Sequence, residues 1–159
     1  MDEEAKQAVL GTFSYGLYVV SVRGQGRVNA FTANWVTQVS FDPPLVAVAV
    51  ENDGLSITLI EESEVFALNV LDAGQRPAAS FMARRSRSAS DKPSGVAYHE
   101  GEATGCPILD EALGYVECQV ANVVPAGDHT IFIGEIIEAG VQHQGTALTL
   151  AEAGLRYRR

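Results

Sequence analysis

From Ser14 to Val22 the chain runs through Tyr, Leu and Val with few interruptions, a density of β-branched and aromatic residues that predicts a strand. Gly24-Gln25-Gly26 then supplies turn residues before Val28-Asn29-Ala30-Phe31, so the two runs read as a hairpin. Trp35 to Ser40, a break at Pro43-Pro44 and the apolar run Leu45 to Val50 add two strands, the second with the continuity of a strand buried on both faces. Upstream, Ala5, Ala8, Val9 and Phe13 recur at helical spacing. That pattern predicts a short helix, Glu3 to Leu10, packed on the domain by one face as a lid or strap.

Beyond Val50 the period changes. Leu55, Leu59 and Ile60 on one side and Glu61-Glu62 on the other predict a short helix, with Ser56 or Asp53 as its N-cap. Phe66 to Leu71 reads as a buried strand, and Gln75 to Arg84 as a helix with Ala78, Ala79, Phe81 and Met82 inward. Arg84 to Gly95 has no apolar periodicity and is the one long loop, of the length that is usually functional or disordered. Gly114 to Val124 and Thr130 to Ala139 are strands joined around the turn residues Pro125-Ala126-Gly127-Asp128. Strands dominate, helices are few and short, and no strand-helix alternation builds a parallel sheet. The fold class is mostly β, an antiparallel barrel.

Composition narrows the class of protein. With 159 residues, 47% of them hydrophobic, the chain supports one domain, residues 1–159, with a real core. Its 20 acidic and 11 basic side chains give a net charge of -9, which argues against a surface built for nucleic acid or anionic lipid. The positive charge is clustered, however. Arg76, Arg84, Arg85, Arg87 and Lys92 are five of the 11 basic residues, and Arg156, Arg158 and Arg159 close the chain. Cys106 and Cys118 lack CxxC spacing, which fits a reduced, cytoplasmic setting. The acidic start MDEEAKQAVLG lacks the apolar core of an export signal, and Leu45 to Val50 is far shorter than the roughly 20 residues of a spanning helix. The expectation is a soluble protein with neither membrane nor nucleic acid as partner.

Several chemistries lose their usual supports. GxxxxGK[ST], HExxH, GxSxG and SxxK are absent, and His99, His129 and His143 are too dispersed to suggest a metal, so none is expected. Gly24 and Gly26 are not a dinucleotide fingerprint, because Asn29 fills the third glycine position and no helix follows.

What remains is a set of ordered motifs. The run from Asn29 to Val48 (NAFTANWVTQVSFDPPLVAV) resembles the signature strand pair of the flavin reductase family. Phe66 to Leu71, Thr104-Gly105-Cys106-Pro107-Ile108-Leu109, Val116-Glu117-Cys118 and Gly127 to Glu135 look like the same family in the same order, so the resemblance covers about residues 8 to 140. Ser14 to Val20 looks closest to the flavin domain that some members carry fused to rubredoxin; the paired CxxC motifs of a rubredoxin are absent here, so such a partner would be separate. The resemblance implies the FMN-binding split barrel, a Greek-key antiparallel barrel working as a homodimer with flavin near the subunit interface.

It also implies a site. A flavin needs polar contacts along its pyrimidine edge, an apolar wall and an anion site for its phosphate. By resemblance, Thr32, Ala33, Asn34, Trp35, Val36 and Thr37 lie along the isoalloxazine, Asn34 and backbone groups addressing its polar edge. Trp35 adds bulk beside the ring or is a core or interface aromatic. Thr37 and Ser40 face the cofactor beside the Asp42-Pro43-Pro44 turn, or else solvent. Asn52, Gly54, Leu55 and Ser56 sit where free N–H groups at a helix start receive phosphate, a reading compatible with plain capping. Phe81, with Ser80 beside it, matches a helix that the family packs near the flavin, or is core. Arg84 and Arg85, with Arg87 and Lys92, bind flavin phosphate across the dimer or the phosphates of a nicotinamide cofactor, or make surface ion pairs. The family often has Asp-Lys-Phe where this chain has Asp91-Lys92-Pro93. His129, the one candidate catalytic residue, lies on the nicotinamide side or is bonded to a neighbouring carbonyl.

The implied activity is reduction of bound FMN, rather than FAD, by hydride transfer from NADH or NADPH. Electrons then pass to free flavin or to a protein acceptor, rubredoxin-like or a monooxygenase. The alternative is an FMN-binding electron carrier that uses no nicotinamide.

Overall fold

The computed structural model describes residues 1–24, 26–82 and 95–155. After α1 (Glu3–Gly11), β1 (Tyr18–Gly24) and β2 (Arg27–Ala33) pair as the expected hairpin, from Tyr18 opposite Ala33 to Gly24 opposite Arg27. β3 (Val36–Ser40) and β4 (Leu45–Glu51) form a second hairpin across the proline turn. Then come α2 (Leu55–Ser63), β5 (Val65–Val70), α3 (Arg76–Met82), β6 (Tyr98–Glu100) and β7 (Pro107–Leu109). Two long strands, β8 (Gly114–Ala126) and β9 (His129–Val141), pair along their length. Their two loop residues are Gly127, at φ 72°, and Asp128. Glycine at the first loop position is what a type II′ hairpin turn needs.

Among the described residues seven strands join in one sheet of order β2-β1-β5-β8-β9-β4-β3, every pair antiparallel, and β6 and β7 make a separate ribbon. The edge strands β2 and β3 are consecutive in the chain, with only Asn34 and Trp35 between them. Three Cα steps reach at most about 11 Å. The two edges must therefore meet at that corner, which curls the sheet into the expected barrel. The β1–β5 and β4–β9 pairings join strands that are not chain neighbours, as in a Greek key.

Val20, Val48, Phe66, Leu68, Cys118 and Phe132 fill the barrel, together with Leu59 and Ile60 of α2. Alternate residues of β1 and β2, such as Val19 and Ala30, face outward into a second cluster with Ala79 and Met82 of α3, Leu109 of β7 and Leu148. β1 is thus buried on both faces, which explains its unbroken run of apolar residues. Two buried polar side chains fasten the outer layer. The Asn69 amide donates to the carbonyl of Val19 (3.3 Å), and its Oδ1 accepts from the Leu109 N–H (2.8 Å), tying β5 to β1 and β7. Glu117, fully buried, accepts from the N–H (2.8 Å) and hydroxyl (2.6 Å) of Thr104. A Cβ at Gly101 would lie 2.2 Å from Glu117 Oε1, so the loop closes over the carboxylate only because that position is glycine. Two of the motifs that carry the family resemblance thus meet in a structural contact.

Three expectations are corrected. The N-terminal helix forms, with Asp2 accepting from the Ala5 N–H at 3.0 Å, but buries none of its residues; Val9 and Phe13 are exposed. β4 alternates instead of burying both faces: Val46, Val48 and Val50 are inside, whereas Leu45, Ala47 and Ala49 are half-covered. Neither Ser56 nor Asp53 is the N-cap of α2, a place taken by Gly54. The ribbon of β6 and β7 escaped the sequence reading because three-residue strands are too short to show a period. The expected loop Arg84 to Gly95 lies outside the described residues for all but Gly95.

Candidate functional site

The corner where the barrel edges meet also carries the chain's only tryptophan. Trp35 sits in the β2–β3 link, its carbonyl accepting from the Ala49 N–H of β4 at 3.1 Å. Its ring lies against His129, with centroids 4.7 Å apart and planes tilted by 49°. His129 opens β9 opposite Glu51 of β4, and its Nδ1 is 2.7 Å from Asp128 Oδ1. The His129 side chain is 18% exposed and Trp35 39% exposed, so the pair forms a supported aromatic wall with one open side. The link, the end of β4 and the β8–β9 turn therefore converge, although they are far apart in sequence.

The segment leaving β4 starts the second part of the site. Gly54 takes the N-cap of α2 with extended backbone (φ -99°, ψ 155°) and has no side chain to offer the first-turn N–H groups. Ser56, in that first turn, is buried and turns inward, its hydroxyl accepting from Asn29 Nδ2 at 2.9 Å. The other end of that amide, Asn29 Oδ1, is buried without a hydrogen-bond partner among the described residues. An orphaned buried polar atom costs about 1–3 kcal/mol, a debt that a ligand or water settles. An amide turned end for end would keep a bond to Ser56 and present its NH2 instead. Uncapped N–H groups and an amide with one end to spare fit the phosphate of a flavin.

The remaining candidates divide. Asn34, Val36 and Ser40 are half-buried and Thr37 exposed, all on the link or β3 next to Trp35. Thr32 spends its hydroxyl on the Ala79 carbonyl of α3 (2.7 Å), and Ala33 is buried in the barrel, so for these two the backbone is what a ligand would meet. Leu55 packs on the barrel core. The Asn52 amide is engaged at both ends with the β8–β9 turn, donating to the Gly127 carbonyl (3.1 Å) and accepting from the Thr130 hydroxyl (2.8 Å). Phe81 belongs to α3. Arg84 and Arg85, like Arg87 and Lys92, lie outside the described residues. Asn29 and Thr130 were not anticipated. The one available signal was an asparagine inside the apolar strand run Val28 to Phe31.

An open cavity of about 790 Å³ lies elsewhere, between Gly11–Tyr15 and Thr149–Leu155, and among the described residues none of the anticipated ones lines it. Among the described residues no group of three or more His, Cys, Asp or Glu side chains is placed to hold a metal, and no helix is long and apolar enough to cross a membrane.

Both cysteines are buried thiols. Burial pushes Cys106 up to about 11 and Cys118 up to about 12, from an ordinary 9.0. Because the folded values are the higher ones, this contribution to stability is complete below pH 9.0 and is lost as pH rises through about 11 to 12. Iodoacetamide at about pH 8 should leave the native protein unlabelled and modify both thiols in urea, as mass spectrometry would show. Rapid labelling of either thiol in the folded state would contradict the burial.

The family model for the flavin reductase like domain matches residues 10–158. The NADH-dependent FAD reductase of Streptomyces globisporus is 37% identical over 139 residues, 87% of this chain and 76% of that protein. The high molecular weight rubredoxin of Moorella thermoacetica is 35% identical over 145 residues, which cover 89% of this chain but only 62% of the relative. Among solved structures, the NADH:FAD oxidoreductase of Streptomyces globisporus superposes with a TM-score of 0.84 at 34% identity, covering 99% of this chain and 92% of the other. An FMN-binding protein of Thermus thermophilus superposes at 0.76 with 27% identity, covering 82% and 72%. A barrel closed at the Asn34-Trp35 corner and a match across nearly the whole length agree: this chain belongs to the flavin reductase family and is a flavin-dependent oxidoreductase.

Proposed function

We propose that this chain binds FMN between the Trp35–His129 wall and the start of α2, and reduces it with NADH or NADPH. Electrons would then pass to free flavin or to a protein acceptor, rubredoxin-like or a monooxygenase. The observation that carries the reading is a physical link between two halves of one site. The uncapped helix start and the aromatic wall are joined directly, because Asn52 of the segment entering α2 is bonded to the turn that carries His129.

The flavin supplies hydride acceptance and onward electron transfer. The chain's residues bind, orient and shield. N–H groups of the first turn of α2 and the Asn29–Ser56 pair hold the phosphate. Backbone groups from Thr32 to Thr37 and the Asn34 side chain address the polar edge, and Trp35 limits where the ring system lies. His129, held between Asp128 and Trp35, positions the nicotinamide. Hydride transfer needs close approach of two carbon and nitrogen centres rather than a protein acid or base, so His129 acts by placement. FMN and FAD share the phosphate next to the ribityl chain; FMN is the reading that asks for no adenine pocket. The Moorella relative, named a high molecular weight rubredoxin, supports a protein acceptor.

We also infer a homodimer. Val39 and Phe41 at the end of β3, Val123 and Val124 on β8, and Ile137 and Val141 on β9 are exposed, Phe41 at 90% and Val141 at 84%, and these are the apolar side chains a second copy would cover. Sedimentation should give twice the 16.9 kDa of the chain, and a single-chain mass would contradict the inference.

Flavin binding is tested through Trp35, the only tryptophan. Titration with FMN should quench its emission saturably, with weaker binding for FAD. Absence of quenching would remove the flavin from this corner, and tighter binding of FAD would exchange the resident flavin.

A further inference from the structure

We propose that Asn52 is a positioning residue for His129 and not a phosphate ligand. The inference rests on the placement of His129 on the nicotinamide side given above. Asn52 follows Glu51, the residue that pairs with His129 across β4 and β9, and precedes the start of α2. Its Nδ2 donates to the carbonyl of Gly127 at 3.1 Å, and its Oδ1 accepts from the hydroxyl of Thr130 at 2.8 Å. Its backbone N–H donates to the carbonyl of Asp128 at 3.1 Å. One residue therefore grips the turn at Gly127, Asp128 and Thr130, on both sides of His129. None of these bonds points toward the helix start, where a phosphate would sit.

A two-residue hairpin tip is where paired strands ordinarily fray. Here the tip carries a ring that must stay 4.7 Å from Trp35 with its Nδ1 on Asp128. The amide of Asn52 supplies the restraint that the turn itself lacks. Loss of the restraint lets the imidazole leave the aromatic wall, and small displacements of positioning groups are costly to hydride transfer.

The test uses the flavin-loaded protein and the variants Asn52→Ala, Thr130→Val, His129→Ala and the double variant Asn52→Ala with His129→Ala. Asn52→Ala should raise the nicotinamide KM about fivefold, the worth of roughly one hydrogen bond, and leave the FMN dissociation constant unchanged. Trp35 emission, read on the same variants before flavin is added, should shift in the same direction as in His129→Ala. Thr130→Val, which removes one bond and keeps the shape of the side chain, should show the same pattern more weakly, and it carries the test if Asn52→Ala does not fold. The double variant should have the nicotinamide KM of His129→Ala alone. Weakened FMN binding with an unchanged nicotinamide KM in Asn52→Ala would make Asn52 a phosphate ligand and overturn the inference. Multiplying effects in the double variant would overturn it as well. His129→Ala with an unchanged nicotinamide KM would overturn the placement of His129 itself. In that case Trp35 emission still decides the role of Asn52, since unchanged emission in Asn52→Ala and Thr130→Val shows that the amide does not hold the ring.

Discussion

Gly54→Asp lowers the affinity for FMN about a hundredfold while making the flavin-free protein slightly more stable. The two effects have one cause. Gly54 takes the N-cap of α2 in extended backbone that any residue adopts, and a Cβ there meets nothing nearer than the Glu51 carbonyl at 3.7 Å. Aspartate fits without strain, accepts from the first-turn N–H groups and interacts well with the helix dipole, worth a few tenths of a kcal/mol over glycine. The same carboxylate occupies the donors proposed for phosphate and would repel it, and like charges brought together cost several kcal/mol. A merely damaging substitution would lower both quantities. Thermal melts of the flavin-free protein and an FMN titration separate the cases, and unchanged FMN affinity would place the phosphate somewhere other than the start of α2.

Phe66→Ala costs about 3–5 kcal/mol and lowers the melting temperature by about 6–20 °C. Phe66 is fully buried in the barrel, where its ring occupies the room left by Gly134 of β9; a Cβ at Gly134 would lie 2.5 Å from Phe66 Cζ and 2.8 Å from Cys118 Cβ. Gly134→Ala alone forces that ring aside and costs about 1–3 kcal/mol. In the Phe66→Ala background the added methyl no longer meets the ring, although its 2.8 Å approach to Cys118 Cβ remains, so the second substitution should cost less than it does alone. Simple additivity of the two, measured by urea unfolding, would show that glycine and ring do not share the space.

Much of this fold was legible in the sequence because its strands have strong local signals. β1 announces itself because both of its faces are buried, one in the barrel and one under α3 and β7. The β8–β9 turn was legible because Gly127 supplies the backbone freedom a two-residue hairpin requires. Where the sequence reading went astray, a tertiary fact decided. The apolar side of α1 suggested burial, yet nothing else in the described chain covers it. Ser56 has the chemistry of a cap but is turned inward to Asn29, a residue 27 positions away, and no local pattern reports such a contact. In the site, family resemblance implies roles for both Trp35 and His129, but their ring contact depends on the pairing of β4 with β9. Asn52 was read as a phosphate contact from its neighbourhood in sequence. Its partners lie 75 and 78 residues away, which is why only the folded chain reveals them.

The central claim is that this corner of the barrel holds a flavin where a nicotinamide can reduce it. Its most direct test is anaerobic stopped-flow mixing of the FMN-loaded protein with NADH and, separately, NADPH. The oxidised flavin band near about 450 nm should bleach in a single turnover with at least one donor, far faster than free FMN mixed with the same donor. Bleaching no faster than that of free FMN with either donor would contradict the account.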